Sequence, residues 1–360
     1  MPYKSLKTLL IFLLVFIFGD VLLWAGDLSR FVLSVSNPIY SHDARNYTMI
    51  RPIYLHQNLP DKVEFRSDIK HVLKKYGLYH AARKLGGDVD GFALQFSLAL
   101  NERLSLVAIK DGYVDCDPDD DSLIPAGSGL ADIAAGLQYA VIYNPQKDFV
   151  LSLRLTYEFA SGEDDVFQGN GDGNFNLEAL FLKGYGNWQF SGSLGFILPV
   201  DNDEEDTLFY DAWHVGYNIT PWLHPFVELN HFYVIDSGDR DLDDVDTLKA
   251  LGITSAKDLD QAIATLGADT VVGVLRDILH SGEKDDLVAA LASFSGCDIV
   301  NLGGSHSDDN RNLVTLALGL RIRPLKWLSL GVAYEFALTD EEESLIDDRY
   351  LVDAVITFNF

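Results

Sequence analysis

Apolar and polar residues alternate through most of the chain after residue 45, and the pattern is clearest at its end. In residues 349–360, RYLVDAVITFNF, every second side chain is apolar from Tyr350 to Phe360. Successive side chains of a β-strand point to opposite faces, so this stretch predicts a strand with one wholly apolar face. A run of about a dozen residues is twice the usual length of a soluble strand and is long enough to cross a bilayer.

Eleven further segments repeat this period of two, although the facing of 103–113 is ambiguous. They predict strands near residues 46–56, 92–100, 103–113, 131–143, 149–159, 175–183, 188–198, 207–219, 223–235, 312–323 and 327–338. Short connections alternate with long ones, as in a barrel with tight turns on one side and long loops on the other. A soluble β-sandwich would not require that alternation. We therefore predict an all-β fold, an antiparallel up-and-down transmembrane β-barrel of about 12 strands.

Two of the long connections carry apolar residues at helical spacing. In the loop 57–88, Ile69, Val72, Leu73 and Tyr76 recur every three or four residues and predict an amphipathic helix. The loop 237–310 holds four such groups, and Ser255 is placed to cap one of the helices. We therefore expect helical insertions in the surface loops, with 237–310 forming a small helical insert at the cell surface.

The first 25 residues have the pattern of a secretory signal peptide. Lys4 and Lys7 precede the apolar run 9–18, and Ala25 is followed by glycine at a small-residue cleavage point. A signal anchor is the alternative, because residues 21–24 prolong the apolar run, although Asp20 interrupts it. We expect export through a signal peptide at 1–25, a periplasmic lead-in at 26–44, and an outer-membrane β-barrel at 45–360.

Aromatic residues and acidic residues are concentrated in different parts of the predicted barrel. Tyr143, Trp188, Trp222 and Trp327 lie beside short turns, which predicts an aromatic girdle at one membrane interface. The net charge is −27, and runs of Asp and Glu fall in the long loops. Binding to nucleic acid requires clustered Lys and Arg, so no nucleic-acid partner is expected.

Charged and polar residues on the opposite face of the strands are predicted to line the lumen. They are Arg154, Glu158, Glu178, His214, Glu228, Arg321, Arg323, Glu335 and Asp353. Such residues either surround water in a narrow channel or pair across the barrel and plug it. Small inward residues such as Gly331 leave room locally. Both interpretations remain open from the sequence.

Patterns typical of catalysis or metal binding are weak. The chain has no G-x-S-x-G and no H-E-x-x-H, and residues 115–121 lack the glycine and glutamate of an EF-hand loop. His231 lies on the outward face without a serine at two-residue spacing. We expect no enzyme activity, no metal and no cofactor. Cys116 and Cys297 either form one disulfide in an exported protein or remain two free thiols.

Three short motifs carry a resemblance to a known family. Residues 129–133 (GLADI), 167–173 (FQGNGDG) and 347–350 (DDRY) are similar to outer-membrane transporters grouped with proteins of the phenol meta-degradation pathway. The resemblance covers roughly 45–235 and 296–360 and leaves out the helical insert at 240–295. It implies a barrel transporter of unspecified substrate with no catalytic residues to carry over.

The expected function is passive passage of small, hydrophobic or aromatic solutes through an outer-membrane channel. The expected partners are outer-membrane lipid, the barrel-assembly machinery acting on the C-terminal strand, and a small-molecule solute. A non-conducting surface scaffold that displays the 237–310 insert is the main alternative, and an outer-membrane hydrolase is a further one.

Overall fold

A computed structural model provides the structure of the chain. It describes residues 28–360 except 120–121, 170, 203–204, 237, 239–240, 292–310, 340–344 and 359–360. The predicted signal peptide and the final phenylalanine lie outside the described residues.

Within these residues, fourteen strands form one antiparallel sheet. In chain order they are β1 Thr48–Asn58, β2 Asp88–Asn101, β3 Leu104–Lys110, β4 Gly112–Asp117, β5 Gly127–Leu130, β6 Ile133–Asn144, β7 Phe149–Phe159, β8 Asn174–Tyr185, β9 Trp188–Pro199, β10 Thr207–Tyr217, β11 Leu223–Asp236, β12 Asn312–Leu325, β13 Leu328–Ala337 and β14 Asp348–Phe358. The short turns β2–β3, β6–β7, β8–β9, β10–β11 and β12–β13 share one end of the sheet, which we call the short-turn end. The opposite end is the long-loop end.

The sheet closes on itself. β1 pairs with β14 on one side, where Thr48 lies opposite Phe358, and with β2 on the other. Twelve strands thus form a closed barrel, while β4 and β5 extend it beside β2. Closure leaves no unpaired edge among these twelve strands, as a bilayer requires. β5 ends the strand order, and its strand partner in the described chain is β4. The predicted fold class is confirmed.

The two faces of the barrel wall differ as the alternation predicts. In β7, Ser152, Arg154 and Thr156 are buried, while Leu153 and Leu155 are about half exposed on the other face. Apolar side chains therefore cover the outside of the barrel and polar ones face the lumen, which is the arrangement of a transmembrane barrel.

One hairpin lies where the sequence indicated only a loop. The predicted strand 103–113 divides at Asp111 into β3 and β4, and β4 pairs with β5 inside the predicted loop 114–128. β2 begins at Asp88, four residues before its predicted start at 92. The backbone groups of this extension are hydrogen-bonded to β4, which lies opposite residues 88–93. In β3, Ser105, Val107 and Ile109 are the inward, buried residues.

Among the described residues, six short α-helices lie in two of the long loops. They are α1 Ser67–Lys75, α2 Tyr79–Ala82, α3 Asp246–Ala250, α4 Ala256–Leu266, α5 Ala268–Leu279 and α6 Lys284–Leu291. Ser255 begins α4, since its side chain accepts a hydrogen bond from the Asp258 amide. Of the helices in the described ranges, none combines the length and the apolar character needed to cross a membrane.

A single apolar core joins these helices to the long-loop half of the lumen. Leu248, Leu259 and Ile263 from the second helical loop pack in the same cluster as Ile69 and Val72 of α1. The cluster continues downward into side chains of the barrel wall, which are Ile197, Leu208, Tyr210, Phe232, Val234 and Leu313. We call the helical part of this cluster the cap.

Candidate functional site

The segment 28–45 lies inside the barrel. It enters from the short-turn end, turns at residues 37–41, and returns to the short-turn end, where β1 begins. Asn37 adopts a positive φ of 47° at the turn, and the Ser41 amide donates to its carbonyl over 2.9 Å. We call this segment the N-terminal hairpin. The sequence had indicated a periplasmic lead-in, because the segment has no strand or helix periodicity.

Side chains of the wall hold the first limb of the hairpin. The Gln189 carboxamide accepts from the Val32 amide over 2.9 Å and donates to the Val32 carbonyl over 2.7 Å. Arg321 donates to the Leu33 carbonyl over 3.0 Å. The Glu228 carboxylate accepts from the amides of Val35 and Ser36 over 3.0 and 2.7 Å.

The tip and the second limb are held in the same way. Gln95 donates to the Pro38 carbonyl over 2.7 Å, and Ser193 donates to the carbonyl of Tyr40. Gln138 donates to the carbonyls of Asp43 and Arg45, at 3.0 and 3.1 Å. Buried polar groups need hydrogen-bond partners, and these wall side chains supply them to the hairpin main chain.

Two glycines of the wall make room for hairpin side chains. A Cβ on Gly184 would collide with the Phe31 ring, and a Cβ on Gly331 would lie 2.6 Å from a Val35 methyl group. The small inward residues that suggested free space in the lumen therefore admit the hairpin at these two positions. At these positions the short-turn half of the lumen is filled by hairpin side chains.

The predicted lumen residues lie on the inner face, and most of them form ion pairs. Arg154 pairs with Glu178, which is its direct cross-strand neighbour, and the two are 2% and 1% exposed. The remaining contacts are Glu158 with Lys110 at 2.6 Å, His214 with Glu228 at 2.7 Å, Arg321 with Asp353 at 2.7 Å and Glu335 with Arg349 at 2.7 Å. Arg323 is only half-buried, near the short-turn end.

Three members of this network were missed from the sequence: Arg51, Lys110 and Arg349. Arg349 could have been found by parity, because it lies four residues before Asp353 and shares its face. Arg51 lies in β1, whose inward face also carries Ile53 and Leu55, so the strand shows no polar stripe. Its Nη2 lies 2.6 Å from the Asp353 carboxylate, and its side chain is fully buried.

A small cavity remains beside the second limb. Its volume is about 20 Å³, and its lining includes His42, Arg45, Gln95, Gln138 and Arg154. That is room for about one water molecule among polar partners. The cavity is too small for an organic solute.

Above the hairpin tip the lumen contains an aromatic cluster. The Tyr40 ring lies 4.7 Å from the Tyr210 ring and 5.6 Å from that of Phe232, between centroids. These rings belong to the core that continues into the cap. The long-loop half of the lumen therefore combines this apolar cluster with the buried ion pairs Lys110–Glu158 and Glu335–Arg349, whereas the short-turn half, which we call the polar half, holds the hairpin.

The cap is tied together by contacts between its two loops. Lys75 of α1 lies 2.6 Å from the carboxylate of Asp260 in α4, and the Arg66 amide donates to the Leu291 carbonyl over 3.1 Å. The hydrogen bond from Lys75 holds the pKa of Asp260 below its usual range. Both groups are solvated, so this pair orients the helices and adds little stability.

The four predicted girdle aromatics lie at the short-turn end. Trp222 and Trp327 are about half exposed, at 54% and 49%. Trp188 and Tyr143 are partly buried, and the Trp188 ring packs 4.8 Å from that of Tyr217. Their position is consistent with a membrane interface, which stays a prediction.

Cys116 is buried, and burial raises the pKa of its thiol to about 12. Cys116 is a free thiol in the structure, which favours the second of the two alternatives. Cys297 lies outside the described residues.

Because Cys116 is a free thiol in the structure, we expect that the exported protein, denatured without reduction, gains two maleimide–polyethylene glycol labels and that reduction adds none. Denaturation removes the protection that burial gives Cys116. Cys116→Ser is the control, since it should gain one label with or without reduction. Absence of label on the unreduced protein, with two labels after reduction, would show the disulfide instead.

Two outward clusters bear on the expected absence of metal and catalysis. His56 Nδ1 lies 2.9 Å from Asp90 and 4.0 Å from Asp88, a spacing that could hold a metal ion, but Tyr54 also donates to Asp90. The ring nitrogens of His231 contact Asp211 and Asn312, both at 2.9 Å. Its partners in the described chain therefore include no serine nucleophile.

Comparison with known proteins places the chain in a family. The family model described as "Putative MetA-pathway of phenol degradation" matches residues 80–268. That match covers more than half of the 360 residues. The chain belongs to this family. The family resemblance is thereby confirmed. The match contains the motifs at 129–133 and 167–173, whereas 347–350 lies outside it, and it extends to residue 268, into the insert that the resemblance was expected to leave out. No curated protein matches the chain.

Solved structures of outer-membrane proteins are similar to the chain at low sequence identity. An outer membrane channel from Pseudomonas putida has a TM-score of 0.51 and 14% identity, with 90% of this chain and all of that one covered. The NanC porin has a TM-score of 0.42 and 6% identity, covering 86% of this chain and 100% of the porin. The first similarity shows a shared barrel fold, and the substrate is a separate question.

Proposed function

We propose that the protein is an outer-membrane channel for small solutes whose lumen is closed by the N-terminal hairpin. The observation that carries this proposal is how the hairpin is held. Hydrogen bonds from wall side chains secure it, and it forms no strand of the wall. Withdrawal of the hairpin would leave the twelve-stranded wall closed and the polar half of the lumen open to water.

Apolar and aromatic solutes are the proposed substrate class. The long-loop half of the lumen presents Tyr210, Phe232 and Val234, whose neighbours are apolar side chains of the cap. A solute with an apolar ring could replace those contacts when the cap moves, whereas a charged solute would lose its hydration there. The family description, which refers to phenol degradation, agrees with this class.

The proposed setting follows from the two ends of the barrel. The short-turn end would face the periplasm and the cap would face the cell exterior, with lipid around the apolar outer face. A signal peptide would direct export, and the C-terminal strand would be recognised by the barrel-assembly machinery. Protease shaving of intact cells should cut the 237–310 insert and leave the barrel in the membrane.

A reversible lock tests the proposed function. Ser36 and Asn230 are bonded across the hairpin and the wall, with Oγ and Nδ2 3.1 Å apart. The double variant Ser36→Cys, Asn230→Cys, built with both native cysteines replaced by serine, should form a disulfide that fixes the hairpin. We expect purified protein in planar bilayers to carry current, and proteoliposomes to take up phenol, only after reduction.

The cysteine-free parent is the control, because its flux should not respond to reduction. Absence of current and uptake in the parent and in the reduced variant would refute a channel. That result would favour a non-conducting scaffold, for which the filled lumen and the packed cap are the supporting observations.

A further inference from the structure

We infer that the polar half of the lumen is a binding site for an extended polypeptide main chain, and that residues 32–36 are its resident occupant. The site consists of Gln189, Arg51, Arg321 and Glu228. This assignment concerns what the wall recognises, so it can be tested whether or not the barrel conducts.

Wall side chains form hydrogen bonds to successive main-chain groups of the first limb. Gln189 bonds both the amide and the carbonyl of Val32, as a neighbouring strand would do. Next along the limb, Arg321 donates to the carbonyls of Leu33 and Ser34, at 3.0 and 3.2 Å, and Arg51 donates to the Ser34 carbonyl over 2.8 Å.

The next wall group along the limb is a hydrogen-bond acceptor. The Glu228 carboxylate accepts from the consecutive amides of Val35 and Ser36. An extended peptide presents N–H and C=O groups in alternation, and here the carbonyls meet guanidinium groups and the amides meet a carboxylate. These bonds recognise main-chain chemistry, which every peptide shares. The Ser36 hydroxyl adds a contact to Glu228, and the buried Val35 side chain packs with Leu55 and Phe226.

The wall groups are themselves held in place. Asp353 lies between the two guanidinium groups, 2.6 Å from Arg51 and 2.7 Å from Arg321. His214 lies 2.7 Å from the Glu228 carboxylate on its other side. A preorganised set of donors and acceptors lowers the ordering cost of binding a chain.

The path of the hairpin allows its occupant to be exchanged. Both limbs reach the short-turn end, and the turn at residues 37–41 lies deepest in the lumen. The segment can therefore withdraw and re-enter by one end without threading a free terminus through the wall. A separate peptide could enter by the same route once the limb has left.

The test begins with full-length variants at Ser36. Ser36→Pro removes the amide that donates to Glu228, whereas Ser36→Ala removes only the hydroxyl. Hydrogen–deuterium exchange of residues 31–36 should approach the unprotected rate in Ser36→Pro and stay protected in Ser36→Ala. Heat-modifiable migration on gels would show that both barrels are folded.

The vacated site should then bind synthetic peptides, measured by fluorescence anisotropy in detergent. A labelled peptide of residues 28–45 should bind to Ser36→Pro. A peptide with methionine at position 33 keeps the main-chain bonds and the volume of that buried side chain, so it should bind within roughly tenfold of the unmodified peptide. A peptide N-methylated at 35 and 36 should not bind.

Two results would overturn the inference. One is equal binding of the N-methylated and unmodified peptides, and the other is failure of the unmodified peptide to bind to folded Ser36→Pro. Gln189→Leu provides a test from the wall side if Ser36→Pro does not fold. It should speed exchange of the Val32 amide by roughly three- to tenfold, and unchanged exchange there would also overturn the inference.

Discussion

Replacing Asp353 with asparagine is expected to lower the free energy of unfolding of the barrel by about 3–5 kcal/mol. The Asp353 side chain is 1% exposed, and those of Arg51 and Arg321 are fully buried against it. The substitution keeps the shape of the side chain and removes its charge. Two guanidinium groups would then share a buried site without their counterion, which is the costly way to break a buried ion pair.

The measurement is denaturant unfolding in detergent, followed by heat-modifiable migration. Asp115→Asn is the matched control, because it makes the same chemical change on an exposed residue of β4. We expect the control to stay within about 0.5 kcal/mol of the parent. A change below about 1 kcal/mol in Asp353→Asn would mean that solvent or the hairpin compensates for the lost charge.

The second large effect is expected in the cap. Leu259 of α4 is fully buried in the core, whereas Leu266 at the end of the same helix is 59% exposed. Leu259→Ala should destabilise the cap by about 2–5 kcal/mol, since it deletes buried methyl groups and leaves a cavity. Leu266→Ala makes the same change where little packing is lost.

Limited proteolysis measures this prediction. The second helical loop should be cut faster in Leu259→Ala than in Leu266→Ala, while the barrel keeps its heat-modifiable migration. Equal cutting of the two variants would show that α4 does not depend on the shared core. Loss of the barrel together with the cap would show that the two unfold as one unit.

The barrel wall was predictable because its cause is local. A lipid-facing side chain at every second position leaves a period of two, and β7 was placed at 149–159, where the structure has it. Parity also put Arg154 and Glu178 on the inner face. Their pairing required the register between β7 and β8, which sets them opposite each other. A single strand does not contain that information.

The hairpin was not predictable because its partners are remote in sequence. Val32 bonds to Gln189, 157 positions away, and Leu33 bonds to Arg321, 288 positions away. The main chain of this limb is hydrogen-bonded by side chains from several strands and not by the main chain of one neighbouring strand. Its own sequence therefore shows no alternation of apolar and polar residues. Gly184 and Gly331 have no side chain that would collide with Phe31 and Val35. Only the closed barrel brings these residues together, so the sequence does not reveal the reason for the glycines.

Because these contacts join residues that are remote in sequence, they also affect the order in which parts of the protein fold. Arg321 and Gln189 reach their places only when the strands that carry them have joined the sheet, and contacts of long sequence separation form slowly. We therefore expect the hairpin to form its bonds late, after the barrel has closed around a lumen that still contains water. Sealing of the pore would then be a kinetic step of its own, separate from insertion into the membrane.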